Sequence, residues 1–390
     1  MVEVKSILFV DDERSVLRAL RRTFMNSGYK LYFADSGELG LKILAAGRID
    51  LVLSDMRMPE MDGYEFLRRV RELYPRVIRL ILSGFVEESY VYKALIDGSA
   101  KTYLAKPWHT GELLSLVAGL VETEEILGSK RLLAVLNTVT SLPMMPEIYH
   151  QVMALIDADA DFDKIVAVIE KDPAITAKVL QVANSAFFKS GTASLKRAAV
   201  FIGLMTLKDI VVGSAVFQTL AGPPLADYDP ELIWKHAVLC NRLLGEMYEA
   251  VHDKKPPEDV AAIGLLHNVG ELLMLKYFPQ VLKRIGALRE QYPDRDLLQL
   301  EKELLGADHA ELGAYLLNWW NMPYPLVEAA LYHNNPLAVL SPNRQNVVLL
   351  HIADYLARIE MGLKPVKALD REILAQSGLP AAFAEGRGLA

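Results

Sequence analysis

Five polar residues stand at spacings suited to phosphoryl chemistry. Asp11 and Asp12 follow the apolar run Ser6 to Val10, Asp55 follows Asp50 to Ser54, Ser83 ends Arg79 to Ser83, and Lys106 follows Thr102 to Ala105. If those runs are parallel strands of one sheet, their carboxyl ends bring all five side chains to a single crevice. Carboxylates gathered there resist joint ionisation unless a cation lies between them. Mg²⁺ suits the position, because it takes one or two carboxylates and keeps waters and phosphate oxygens as its other ligands. With a hydroxyl donor and an ammonium on the same rim, the set is built to hold a phosphoryl group on a carboxylate.

A second group lies far downstream. Five of the eight histidines, His236, His267, His309, His333 and His351, occur in IWKHAV, GLLHNVGEL, ADHAELGAYLLNWW, ALYHNNP and LLHIADYLAR. Histidines and carboxylates converging from helices make metal sites, so metal-assisted hydrolysis is one reading. The other is that these imidazoles are buried polar groups satisfied by neighbouring helices. Trp319 and Trp320, with Tyr315, Met322 and Tyr324, form an aromatic block in which one indole is expected to pack inward and the other to mark a partner surface. Asn184 and Ser185 read as a capped helix terminus.

The elements that must position these residues change character along the chain. Up to about residue 110, the five short apolar runs (the second is Lys30 to Ala34) alternate with amphipathic segments. Those segments carry Val16, Leu17, Leu20 and Phe24, then Leu39, Ile43 and Leu44, then Phe66, Leu67 and Val70, each set on one helical face. A five-fold βα alternation predicts an α/β doubly wound, five-stranded parallel sheet of flavodoxin-like type. From Thr110 the strand pattern stops. An acidic run at Glu122 to Glu125, then Gly128, predicts a helical exit and a soft joint. The remainder reads as all-α, with Asp172 and Pro173 an N-cap and helix start, and a tail after Gly378 that is expected to fray. The boundaries that follow are 1–122, a helical linker 123–134, a helical domain 135–365, and a helix and tail 366–390.

Composition narrows the class of function. An apolar content of 52% over 390 residues fills the cores of two or three domains. Cys240 is the single cysteine, which excludes an internal disulfide and points to the reducing cytoplasm. The opening MVEVKSILFVDDE lacks the features of a signal peptide, and Ile210 to Ala226, broken by Gln218 and ending in Gly222, Pro223 and Pro224, is too short for a membrane span. Residues 1–122 hold 17 basic and 17 acidic residues, so the net charge of −7 lies downstream. A helical domain of that sign is not expected to bind DNA directly.

LFVDDE, LVLSDMRMPEMDG, LILSG and YLAKP resemble the receiver domain of bacterial two-component response regulators over about residues 5–122. The resemblance implies that Asp55 is the phosphoacceptor. It also implies that Asp11, Asp12 and Asp55 hold Mg²⁺ with the backbone carbonyl of Arg57, that Lys106 and Ser83 bind phosphoryl oxygens, and that Tyr103 is an aromatic switch. Pro107 is expected in cis after Lys106.

LPMMPE, EKDPAITAKVLQVANSAFF and LKRAAVFIGLMTLKDIVV, with the histidine segments, resemble the HDOD branch of the HD superfamily of metal-dependent phosphohydrolases over about residues 135–360. In that resemblance His236 is the first histidine, His267 and Asn268 stand at the His-Asp pair, Asp354 is the last aspartate, and His309 and His333 match additional histidines of HD-GYP relatives. Asn268 replaces the metal-bridging aspartate by a neutral amide. Asn334 and Glu271 also depart from the HD-GYP pattern, and no GYP triplet is present.

The expected function is therefore a cytoplasmic phosphorelay response regulator. Its Asp55 takes a phosphoryl group from a sensor histidine kinase or phosphotransfer protein and controls a non-catalytic, metal-free HDOD output domain. That domain would act by binding a protein, such as one of cyclic-dinucleotide signalling, or a nucleotide; a homodimer is left open. The phosphoryl group is expected to draw Ser83 inward and let Tyr103 turn, remodelling the face of the fourth helix (about Glu87 to Gly98), fifth strand and fifth helix. The alternative is a cyclic dinucleotide phosphodiesterase regulated by its receiver.

Overall fold

The computed structural model describes residues 4–83, 94, 99–139, 147–183, 194–225, 228–257, 260, 262–320 and 322–387. The fourth helix of the receiver, the LPMM stretch, and Asn184 with Ser185 lie outside the described residues. The chain divides into two compact units, one of Met1–Ile126 with Asn321–Tyr324 and Val339–Arg344, the other of Leu127–Trp320, Pro325–Ala338 and Gln345–Ala390.

In the first unit, β1 (Ser6–Val10), β2 (Lys30–Ala34), β3 (Leu51–Asp55), β4 (Ile78–Ser83) and β5 (Thr102–Ala105) form one parallel sheet in the order β2-β1-β3-β4-β5. The helices α1 (Arg14–Phe24), α2 (Gly37–Ala46), α3 (Gly63–Leu73) and α4 (Thr110–Leu127) follow their strands. Every residue of β1, β3 and β4 is buried, as central strands covered on both faces require. Leu8, Val10, Val52, Phe66, Leu67 and Val70 pack on one face; Ile7, Phe9, Leu51, Leu53, Leu113 and Val117 pack on the other. Each such side chain contributes about 1.5–3 kcal/mol by leaving water.

The register fixes the site. Val10 pairs with Ser54, Asp55 with Leu82, and Ser83 with Ala105, so Asp11, Asp55, Ser83 and Lys106 stand at or just past their strand ends within two residues of one another. β3 runs one residue beyond the expected end and takes in Asp55. Leu39 departs from the expected helical face and is 39% exposed. Gly37, Gly40 and Leu44 face inward instead, because the Phe66 ring lies against Gly40 where a Cβ would come within 2.9 Å of it. Gly63 is equally constrained, since a Cβ there would stand 1.9 Å from the Asp55 carbonyl oxygen.

Among its described residues the second unit is built of helices joined by turns and loops, with no strand beyond an isolated bridge between Leu225 and Tyr228. Asp172 Oδ1 accepts from the N–H groups of Ala174 and Ile175, both at 3.0 Å, as its expected capping role requires. Asp308 and Glu311 close a reciprocal capping box on the helix His309–Trp319. That helix and Val269–Tyr277 approach so closely that a Cβ on Gly270 would meet the His309 carbonyl oxygen at 1.8 Å. The tail does not fray up to Arg387. Ala381–Gly386 forms a short helix and Arg387 pairs with both Glu246 and Glu360. Among the described residues no single helix is long and apolar enough to cross a membrane.

Candidate functional site

At the carboxyl ends of β1 and β3, where the strand order reverses, Asp11 and Asp55 are buried side by side. Lys106 lies across them, donating to Asp11 Oδ2 at 2.8 Å and to Asp55 Oδ1. The backbone N–H of Glu13 donates to Asp11 Oδ1 at 2.9 Å, and that of Arg57 to Asp55 Oδ2 at 2.6 Å. Burial nevertheless dominates and pushes both carboxyls above the usual range against the pull of Lys106. For Lys106 burial acts to lower its pKa, but the two carboxylates outweigh it and raise it. Asp12 is exposed, Ser83 is buried at the end of β4, and the Lys106–Pro107 peptide is cis. Tyr103 is 45% exposed on β5. The donors available to an ion are all hard oxygens, which fits Mg²⁺.

In the second unit the structure brings His236, from the helix Pro230–His252, and His267 against Asp354, from Arg344–Glu360. His236 Nε2 is 3.2 Å and His267 Nε2 is 3.3 Å from Asp354 Oδ1, although His236 is out of line for a hydrogen bond. His267 Nδ1 donates to the Gly264 carbonyl at 2.8 Å. Burial, opposed by the Asp354 carboxylate beside the ring, holds the His267 pKa below its ordinary value. His333 packs on His267 at 5.0 Å between ring centroids and His309 on His333 at 5.4 Å, so the imidazoles form a chain away from Asp354. Burial, with His267 and His309 beside it, holds His333 well below its ordinary value. Asn334 Nδ2 donates to His333 Nε2 at 2.7 Å, and His351 Nδ1 donates to the His333 carbonyl at 2.7 Å. Both polar atoms of Asn268 are buried without a partner.

Two charged residues that the motif reading passed over complete this cluster. Arg358, one helical turn after Asp354, donates to Asp354 Oδ1 at 3.3 Å and to Glu271 Oε1 at 3.1 Å. Burial alone would raise Asp354, but Arg358 and the two histidines hold it well below the carboxylate range, and Arg358 likewise outweighs burial to lower Glu271. Glu301 accepts from His309 Nδ1 at 2.8 Å. Burial opposes the charged ring, yet Glu301 pushes His309 up to about 9. The donor set fits at most one ion, through His236, His267 and Asp354, whose ligand atoms lie within 4.8 Å of one another. It does not fit a bridged pair of ions, because Asn268 supplies no charge and a guanidinium already sits on Asp354. Of the aromatic block, Trp319 is 57% exposed and Trp320 half-buried, so neither indole is a core anchor.

A doubly wound sheet with carboxylates and a lysine at its switch point is thus followed in the chain by a helical histidine cluster. The family model for the HDOD domain matches residues 142–336 and that for the response regulator receiver domain matches 7–118. The chain belongs to the HDOD family, within the HD phosphohydrolase superfamily, and carries a response-regulator receiver domain ahead of its HDOD domain.

The response regulator protein FleR of Pseudomonas aeruginosa is 36% identical over 112 residues, 29% of this chain and 24% of that protein. A solved putative phosphohydrolase from Shewanella amazonensis is similar at 25% identity with a TM-score of 0.51, covering 67% of this chain and 97% of that one. An HDOD domain protein of unknown function from Geobacter sulfurreducens shares the fold at 22% identity with a TM-score of 0.52, covering 62% and 85%. The chain spans less than half the length of the curated relatives it matches.

Proposed function

We propose that this protein is a phosphorelay response regulator in which Asp55 accepts a phosphoryl group from a sensor histidine kinase or phosphotransfer protein. The observation that carries the reading is the Asp11–Lys106–Asp55 bridge at the sheet's switch point. An Asp55 carboxylate oxygen forms the new bond to phosphorus as the donor's bond breaks, and the donor leaves with the electron pair. Lys106 then exchanges an aspartate oxygen for a phosphoryl oxygen, and Ser83 offers a hydroxyl from the adjoining strand end. Mg²⁺ held by Asp11, Asp12, Asp55 and the Arg57 carbonyl supplies charge neutralisation for the transferred group. Tyr103, exposed on β5, is the residue whose turn reports the new charge, and a change at such a switch must bias an element with two arrangements to be read elsewhere.

The HDOD domain is read as a non-catalytic output that binds a protein or nucleotide. Hydrolysis on a metal-activated water needs ligands that retain the ion, and here Asn268 supplies no bridging charge while Arg358 competes with a cation for Asp354. A second reading, a metal-dependent cyclic dinucleotide phosphodiesterase, is favoured by one observation, the convergence of His236, His267 and Asp354. Turnover of cyclic di-GMP with Mn²⁺ or Fe²⁺ separates the two. The non-catalytic reading expects rates equal to a His267→Ala control, and turnover above that control overturns it.

A further inference from the structure

In the second unit, a cavity of about 1170 Å³ opens between the helices Leu204–Leu220 and Pro230–His252. It belongs to a different face of the latter helix from the histidine cluster. Trp234, Val238, Asn241, Gly245 and Glu249 step along the cavity at spacings of three and four, whereas His236 points away toward Asp354. The volume exceeds that of most small-molecule sites. Its walls are mainly apolar, with Phe201 and Met205 exposed beside Trp234. A Cβ added at Gly245 would meet nothing within 4 Å, so this stretch of wall is open space.

Two buried polar groups in that wall lack a partner among the described residues, Asn241 Oδ1 and the carboxyl of Asp209, and only Asp209 can carry a charge. Asp209 follows Lys208 and precedes the apolar run Ile210 to Val212; it is 8% exposed and lines the cavity, and among the described residues its carboxyl makes no hydrogen bond or ion pair. Burial pushes it up to about 7, with Lys208 as the charge that opposes the shift. A carboxyl in that setting makes fewer hydrogen bonds than it would in bulk water unless a donor meets it. Arg242 and Glu246, also in the wall, are paired with each other at 3.0 Å, and the remaining charged lining residues, Lys235, Glu249 and Lys255, are exposed to solvent, which leaves Asp209 as the buried charge that a ligand must face. An anionic ligand would meet Asp209 with like charge, whereas N–H donors on a flat apolar body would satisfy the carboxylate and cover the aromatic wall together.

We propose that this cavity is a binding site for a small aromatic amine or amidine, its ring against Phe201, Met205 and Trp234 and its N–H donors on Asp209. The probe is benzamidine, with benzoate as the anion of matching shape, titrated into the full chain by calorimetry and tryptophan fluorescence. Benzamidine should bind at one equivalent, and benzoate about tenfold more weakly or worse, a gap of roughly 1.4 kcal/mol. Asp209→Asn should lose about tenfold in benzamidine affinity, and Gly245→Leu, which fills the cavity, should abolish binding. No binding of benzamidine, equal binding of benzoate, or affinity unchanged in both variants overturns the assignment. If a variant fails to melt cooperatively, the benzamidine and benzoate comparison on the unaltered protein decides alone.

Discussion

Arg358 stands one helical turn beyond Asp354 and holds that carboxylate and Glu271 with the two sides of a single guanidinium. Where a phosphohydrolase of this superfamily would gather carboxylates around ions, this chain gathers them around a side chain. Removing that cation leaves two buried carboxylates facing each other. Arg358→Met should therefore cost about 3–5 kcal/mol, read as a lowered melting temperature. Added Zn²⁺ should recover part of the loss in the variant and leave the unaltered protein's melting unchanged. Equal Zn²⁺ stabilisation of both proteins would show that the guanidinium does not occupy the cation's role.

Two glycines allow close backbone approach at the two sites. Gly63→Ala forces a Cβ onto the Asp55 carbonyl and Gly270→Ala forces one onto that of His309, and neither backbone oxygen can swing aside as a flexible side chain would. Each should cost about 1–3 kcal/mol or more, visible as a fall of several degrees in melting temperature. Gly111→Ala, where a Cβ meets open space, serves as the control and should be neutral or stabilising.

Asp209 gives stability a pH dependence of definite sign. A carboxyl whose folded value lies above its unfolded one binds its proton more tightly in the folded state, so stability is lost as pH rises from about 4 to about 7. At about 1.4 kcal/mol per unit, the loss is at most on the order of 4 kcal/mol. Asp209→Asn removes the ionisation, so its advantage in melting temperature over the unaltered protein should be larger near pH 8 than near pH 5. An advantage independent of pH would contradict the burial of an unpaired carboxyl.

The acidic pocket with its lysine was legible because each of its residues ends an apolar run, and in a parallel sheet the ends of such runs meet. Leu39 misled because hydrophobic type was read as direction; the inward side of α2 is set by Gly37 and Gly40, where the absence of a side chain admits Phe66. His236, His267 and Asp354 were found through motif likeness, and their convergence followed. Arg358 was accessible in principle, since a basic residue four after a buried aspartate is a standing helical pair. Glu301 and Asp209 were not. Glu301 reaches His309 from a preceding helix, and nothing in LMTLKDIVVG tells which way a lone carboxylate points on a helix whose apolar residues are spread around its circumference.

The central claim is that Asp55 is the phosphoacceptor, and intact-mass spectrometry of the full chain after incubation with acetyl phosphate and Mg²⁺ tests it most directly. The expected result is a single added phosphoryl group that hydroxylamine removes, that requires Mg²⁺, and that is missing from Asp55→Asn. An adduct that persists in Asp55→Asn, or an unaltered protein that stays unmodified while its fold is intact, would contradict the account.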